Sequence, residues 1–135
     1  MLRHLPKPDN KNLLVGLENS DDAAVWSRPE GKALVATADF FTPIVDDPVL
    51  WGQISAANAA SDVYAMGGKP LFALNLVAWP KDELPLELLS KVLLGGQHAA
   101  DAGEWVVAGG HTVDGPEPMY GMSVIGEVAP EDLLT

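Results

Sequence analysis

Apolar residues fall along this chain in short runs separated by Gly, Pro and Asn, and the spacing inside each run predicts its element. Residues 1–12 are rich in Pro, Lys and Asn and read as an extended lead-in. Leu13-Leu14-Val15-Gly16 opens a short strand. Ala23 to Trp26 and Ala33 to Ala38 read as two strands joined by a turn at Pro29-Glu30-Gly31, after which Phe40-Phe41-Thr42-Pro43 is expected to leave the sheet. Asp47-Pro48 marks a helix start, since Asp caps and Pro suits the first helical position. That helix is expected to reach about Met66, where Gly67-Gly68 stops it and Pro70 prevents its resumption. Ala56, Ala57, Ala59 and Ala60 are small enough to let another backbone approach closely.

The run from Leu71 to Trp79 is continuously apolar and predicts a strand buried on both faces. Pro85 opens a second helix, with Leu88, Leu89, Val92 and Leu93 as its apolar stripe, ending near Gly103. Trp105-Val106-Val107-Ala108 is a strand that Gly109-Gly110 is expected to break. Asp114-Gly115-Pro116-Glu117-Pro118 is a rigid acidic loop, Tyr120 to Val128 a last strand, and Pro130-Glu131-Asp132-Leu133 the start of a helix or linker. Two helices with this order of strands predict a two-layer α+β sandwich of a mixed sheet with helices on one face. The other face then needs cover, and a partner subunit is its expected source. Trp51, Trp79 and Trp105 fill the core or a subunit contact.

Composition narrows the function. At 135 residues and 47% hydrophobic content the chain supports one domain with a real core. A net charge of −11 argues against nucleic acid and anionic membrane as partners. There is no cysteine, which removes disulfides, thiolate metal sites and cysteine nucleophiles. No segment reads as a signal peptide or a membrane span, so a cytoplasmic setting is expected.

The charge balance also singles out the acidic residues that sit among apolar ones: Asp21 and Asp22 before Ala23-Ala24-Val25, Asp39 before Phe40-Phe41, and Asp62 closing Asn58-Ala59-Ala60-Ser61-Asp62. Carboxylates beside Ala, Val and Phe are costly unless something positive pairs with them. With 8 Lys+Arg against 19 Asp+Glu, a divalent cation bridging to a phosphorylated ligand is an economical partner. Asn58 and Asp62 are four apart and share a helix face. Taken alone, such a pair is common on a solvated helix side, and Asp21, Asp22 and Asp39 fit ordinary turns. Gly109-Gly110-His111-Thr112 lets backbone come close to a ligand, or simply ends a strand; no Walker pattern occurs. His111 suits a base, a ligand or a satisfied structural role, and His4 and His98 have no supporting context.

Together the segments Ser20-Asp21-Asp22-Ala23-Ala24-Val25, Thr37 to Pro48, Ala56 to Gly68, and Gly109-Gly110-His111-Thr112 with Glu117-Pro118 resemble the amino-terminal, ATP-binding domain of the selenophosphate synthetase (selenide, water dikinase) family. That family sits within the aminoimidazole ribonucleotide synthetase-like superfamily. The resemblance implies a reaction in which ATP, selenide and water give selenophosphate, AMP and phosphate. It implies Asp22, Asn58 and Asp62 as Mg²⁺ ligands, and Asn19, Ser20, Asp21, Asp39, Gly110, His111 and Thr112 as nucleotide contacts. It implies a homodimer whose sheets pair into a barrel. The organisation it implies is a lead-in over 1–12, an ATP- and Mg-binding domain over 13–129, and over 130–135 the start of a linker to a second domain. The reactive Cys or selenocysteine and the Lys of the family have no counterpart here, since Lys7 and Lys11 lie in a different context, so a fragment inactive alone is expected. Two other readings remain: a related kinase or ligase acting on another acceptor, such as thiamine monophosphate or a formylglycinamidine nucleotide, and a non-catalytic dimerising module.

Overall fold

The computed structural model describes residues 13–15, 23–29 and 31–133. The expected lead-in over 1–12, Gly16 of the first strand and Glu30 of the first turn lie outside them. The elements are β1 (Leu13–Val15), β2 (Ala23–Trp26), β3 (Ala33–Phe41), α1 (Pro48–Ala65), β4 (Lys69–Trp79), α2 (Leu86–Gly103), β5 (Val106–Asp114) and β6 (Met119–Val128), followed by a 3₁₀ turn over Pro130–Asp132. The strands form one mixed six-stranded sheet in the order β1-β2-β3-β6-β4-β5. Only β4 and β5 run parallel, linked by α2; the other pairs are antiparallel. Both helices lie on one face, so the predicted two-layer α+β sandwich is what forms.

Local chemistry explains the helix ends. The Asp47 carboxylate accepts from the backbone N–H of Val49 (2.9 Å) and Leu50 (3.3 Å), and Pro48 occupies the first turn. The chain leaves α1 through Gly67, whose φ of +84° suits a residue without Cβ. Pro85 caps α2 without a side-chain bond, and Glu104 closes it in the left-handed region at φ +61°.

The core lies between helices and sheet. Side chains alternate along β3, so Ala33, Val35 and Thr37 are buried while Phe40 stays half exposed on the opposite face. Val25, Ala73, Val77, Tyr120, Met122 and Val124 complete the inner surface. Trp51, Trp79 and Trp105 are buried there, as expected of core aromatics, and Trp51 meets Tyr120 edge to face at 6.4 Å. The helices meet through their smallest residues. A Cβ on Gly52 would strike the Val92 carbonyl, and one on Gly95 would strike the Val49 carbonyl.

Three expectations fail. The third strand does not end at Ala38 but continues through Phe41, because its whole length is paired with β6 down to Phe41↔Tyr120. Gly109-Gly110 does not break the fifth strand, which runs on to Asp114 against β4. Glycine weakens a strand by entropy, and here the partner strand outweighs that preference. The strand from Lys69 to Trp79 is not buried on both faces. Phe72 and Leu74 are 39% and 41% exposed, because the helices cover one side only. The same bare face displays Trp26, Phe40, Val106 and Val113. The β4–β5 register also shifts between Ala73 and Leu74: Ala73 pairs with Val107 but Leu74 with Gly109, so Ala108 is an extra residue.

Replacing Gly52 or Gly95 by Ala is expected to lower stability by about 1–3 kcal/mol, the usual cost of overpacking. Gly109→Ala, whose Cβ would sit 3.6 Å from Leu74, is expected to be near neutral. Chemical denaturation of the three variants checks the ordering.

Candidate functional site

Thr37 fixes the geometry from which the site is built. Its buried hydroxyl lies 3.1 Å from the carbonyl of Ala59 on α1 and 3.4 Å from that of Val124 on β6, within reach of both. This bond places Ala59 directly over Thr37. Asn58 precedes Ala59, and Asp62 follows one turn later. Asp39 lies two residues beyond Thr37 and therefore on the same, helix-covered face of β3. The side of α1 bearing Ala57, Ala60 and Tyr64 is turned toward Ala99, Ala102 and Trp105. Asn58 and Asp62 lie on the other side of the helix, flanking Ala59, which Thr37 of β3 engages. Asn58 is exposed, Asp39 and Asp62 are half-buried, and Asp62 Oδ2 is enclosed by protein. Ser61 donates to the Asn58 carbonyl at 2.7 Å, an interaction within the helix. Asp39, Asn58 and Asp62 thus offer oxygen donors along one flank.

Asn19, Ser20, Asp21 and Asp22 lie outside the described residues. Among the described residues, no three His, Asp or Glu side chains form a group that could hold a metal ion.

Gly110, His111 and Thr112 stand elsewhere. They belong to the edge strand β5, not to a loop after it. One row crosses the sheet as Asp39↔Met122↔Asn75↔Gly110. At a strand spacing of about 4.8 Å, its ends are roughly 14 Å apart. Gly110 is held against β4 so closely that a Cβ would lie 2.6 Å from the Asn75 carbonyl oxygen. Alternation sends Thr112 to the helix side and His111 to the bare face, beside Phe40, Leu76 and Val113. The acidic flank and the β5 segment therefore occupy opposite parts of one copy.

One polar pair escaped the sequence reading. The Tyr120 hydroxyl donates to Asn75 Oδ1 at 2.6 Å beneath Gly96, where any Cβ would meet that hydroxyl. Burial pushes the Tyr120 hydroxyl well above its ordinary pKa, so it stays a proton donor. The available signal was an Asn inside the apolar run of β4. The acidic loop at 114–118 lines a cavity of about 310 Å³ with Pro80, Asp82, Glu83, Asp114, Gly115 and Pro116. Among the described residues no helix is long and apolar enough to cross a membrane.

A family profile described as AIR synthase related protein, N-terminal domain, matches residues 20–128. The chain is 57% identical over 122 residues to a selenide, water dikinase of Myxococcus xanthus, covering 90% of this chain and 34% of that protein. It is 52% identical over 134 residues to one of Carboxydothermus hydrogenoformans, covering 99% and 39%. The chain thus spans between a third and two fifths of these relatives' length. Among solved structures, AaThiL complexed with AMPPCP and TMP superposes with a TM-score of 0.74 at 25% identity, over 81% of this chain and 36% of that one.

Replacing the Thr37 hydroxyl by a methyl in Thr37→Val is expected to cost about 1 kcal/mol, the net worth of one hydrogen bond. Thermal denaturation measures it, and an unchanged midpoint would mean that the bond does not anchor α1.

Proposed function

The chain belongs to the family of AIR synthase related proteins through their N-terminal domain, and on that premise we propose that it is the ATP-binding domain of a selenophosphate-forming enzyme. The reaction converts ATP, selenide and water into selenophosphate, AMP and phosphate. The observation that carries this reading is the 57% identity to a selenide, water dikinase over nearly the whole chain. The oxygen-donor flank on α1 supports it. The complex of AaThiL with AMPPCP, an ATP analogue, supports nucleotide binding by this fold.

Asn58 and Asp62 fit Mg²⁺ in donor chemistry. Both present hard oxygen donors one helical turn apart, and a divalent magnesium site commonly takes only one or two carboxylates, leaving the rest to water and phosphate. Asp22, which directly precedes Ala23 of β2 in sequence, would be the further ligand. Bound Mg²⁺ would neutralise phosphate charge and stabilise the transferring phosphoryl group. Asp39 would sit beside the phosphates, and its own negative charge requires that cation to be present.

Asn19, Ser20 and Asp21 are proposed as further nucleotide contacts. The Gly110-His111-Thr112 backbone is proposed to meet the same nucleotide from a second copy. Within one copy it is separated from Asp39 by two strands, β6 and β4. A homodimer joined through the bare sheet faces into a barrel would supply that second copy. It would also bury Trp26, Phe40, Phe72, Leu74 and Val113, whose exposure is otherwise unexplained. Selenide is the proposed phosphoryl acceptor, and the reducing cytoplasm, where selenide persists, the proposed setting.

Calorimetry of the chain with ATP is expected to give heat that depends on Mg²⁺. Asp62→Asn is expected to weaken binding about tenfold or more. Asp101→Asn, an equal change of charge on exposed α2, is expected to leave it unaltered. Heat that is absent, or indifferent to Asp62, would favour a dimerising module without nucleotide. Turnover by the chain alone, read as selenide-dependent AMP release, is not expected. Product formation with thiamine monophosphate but not selenide, in a full-length enzyme carrying this domain, would transfer the reading to the related kinases.

A further inference from the structure

Asn75 is the one polar side chain between Pro70 and Trp79 of β4. Parity places it with the buried Ala73 and Val77, on the helix-covered side of the sheet. A half-buried carboxamide among apolar neighbours is costly unless it is engaged. What engages it is the 2.6 Å bond from the Tyr120 hydroxyl. Tyr120 is itself fully buried, with its ring against Trp51 and its hydroxyl beneath Gly96. Burial holds the phenol neutral, so its proton stays available to Asn75.

The direction of this bond matters more than its strength. Tyr120 belongs to β6, and β6 and β5 flank β4 on opposite sides. The bond therefore draws the carboxamide toward β6 and away from the edge strand. On the edge side Asn75 pairs with Gly110. A Cβ on Gly110 would lie 2.8 Å from the Cβ of Asn75, and the three atoms nearest to it all belong to Asn75. Gly110 leaves that space empty for want of a side chain, and Asn75 borders it. Without the hydroxyl, Oδ1 loses its partner, and a turn of χ1 to another staggered well carries the carboxamide toward Gly110.

We propose that Tyr120 is a positioning residue for Gly110: by holding the Asn75 carboxamide on the β6 side, it keeps the space over Gly110 open to a ligand. The inference rests on the nucleotide-binding reading above and adds what keeps the β5 backbone accessible. It concerns the helix-covered side of the sheet, not the bare face through which two copies are proposed to join.

The test runs calorimetry with Mg-ATP and thermal denaturation on the wild-type chain, Tyr120→Phe, Asn75→Ala and the double variant. Tyr120→Phe keeps the ring and its contact with Trp51 and removes only the hydroxyl. It is expected to weaken ATP binding about tenfold. Asn75→Ala leaves no carboxamide to obstruct and is expected to bind as the wild type does. The double variant is expected to recover wild-type affinity. Stability is expected to follow a different order. Asn75→Ala orphans a fully buried hydroxyl and melts lowest, whereas removing both partners is close to neutral. A bond that merely stabilises the core would give one order in both measurements, and that result overturns the proposal. So does unchanged affinity in Tyr120→Phe, or a double variant that binds no better than Tyr120→Phe. Nuclear magnetic resonance supplies a readout without ligand. A nuclear Overhauser contact between the Asn75 carboxamide protons and the Gly110 α-protons is expected in Tyr120→Phe and not in the wild type. If the wild-type chain binds no ATP, the nucleotide reading falls, and the positioning of Asn75 is decided by that contact alone; its absence from Tyr120→Phe overturns it.

Discussion

A sheet covered by helices on one face only sorts its own residues into two environments, and most features of this protein follow from that division. Along β3, odd positions from Ala33 to Thr37 enter the core and even ones such as Phe40 face outward. Asp39 is placed beside α1 by the same parity that places Phe40 on the apolar side, so adjacent residues serve unlike chemistry. The division holds only while α1 keeps its seat, which the Thr37 hydroxyl and the glycine contacts at Gly52 and Gly95 together fix. Directional bonding supplies the register of the helix, and close packing without Cβ atoms supplies its distance from α2.

The acidic composition fits this arrangement. Arg28 and Lys32 both engage Glu127, at 3.1 Å and 3.4 Å, on the outward face of the sheet near the far end of β6. Those cations are committed several residues along the strand from Met122, the β6 partner of Asp39. Exposed pairs of this kind add little stability.

Much of the fold was legible in the sequence because its punctuation is strong. Asp47-Pro48, Gly67-Gly68 and Pro85 set the helix limits to within a residue or two, and the apolar stripe of α2 fell where expected. Strand ends were less legible. Phe40-Phe41 and Gly109-Gly110 carry local signals for leaving a sheet, yet β6 and β4 hold them in it through pairing partners distant in sequence. For the site, helical spacing put Asn58 and Asp62 on one face of α1, but only the family resemblance singled them out as ligands. Their kinship with Asp39 required knowing that α1 folds back over β3. The separation of Gly110-His111-Thr112 from that flank was not readable at all, since it follows from the strand order. Tyr120 and Asn75 were missed because a polar pair 45 residues apart leaves no local pattern.

The irregularity at Ala108 has a consequence out of proportion to its size. Beyond it, each residue of β5 presents the side opposite to the one a regular ladder would dictate. A regular ladder that kept Ala108 would set His111 opposite Val77, turning the imidazole inward beneath the helices and bringing its two neighbours out to the bare surface. A related chain with one residue fewer there would pair regularly and still present the same letters to the same surfaces, so a gap in an alignment across this strand belongs at the bulge.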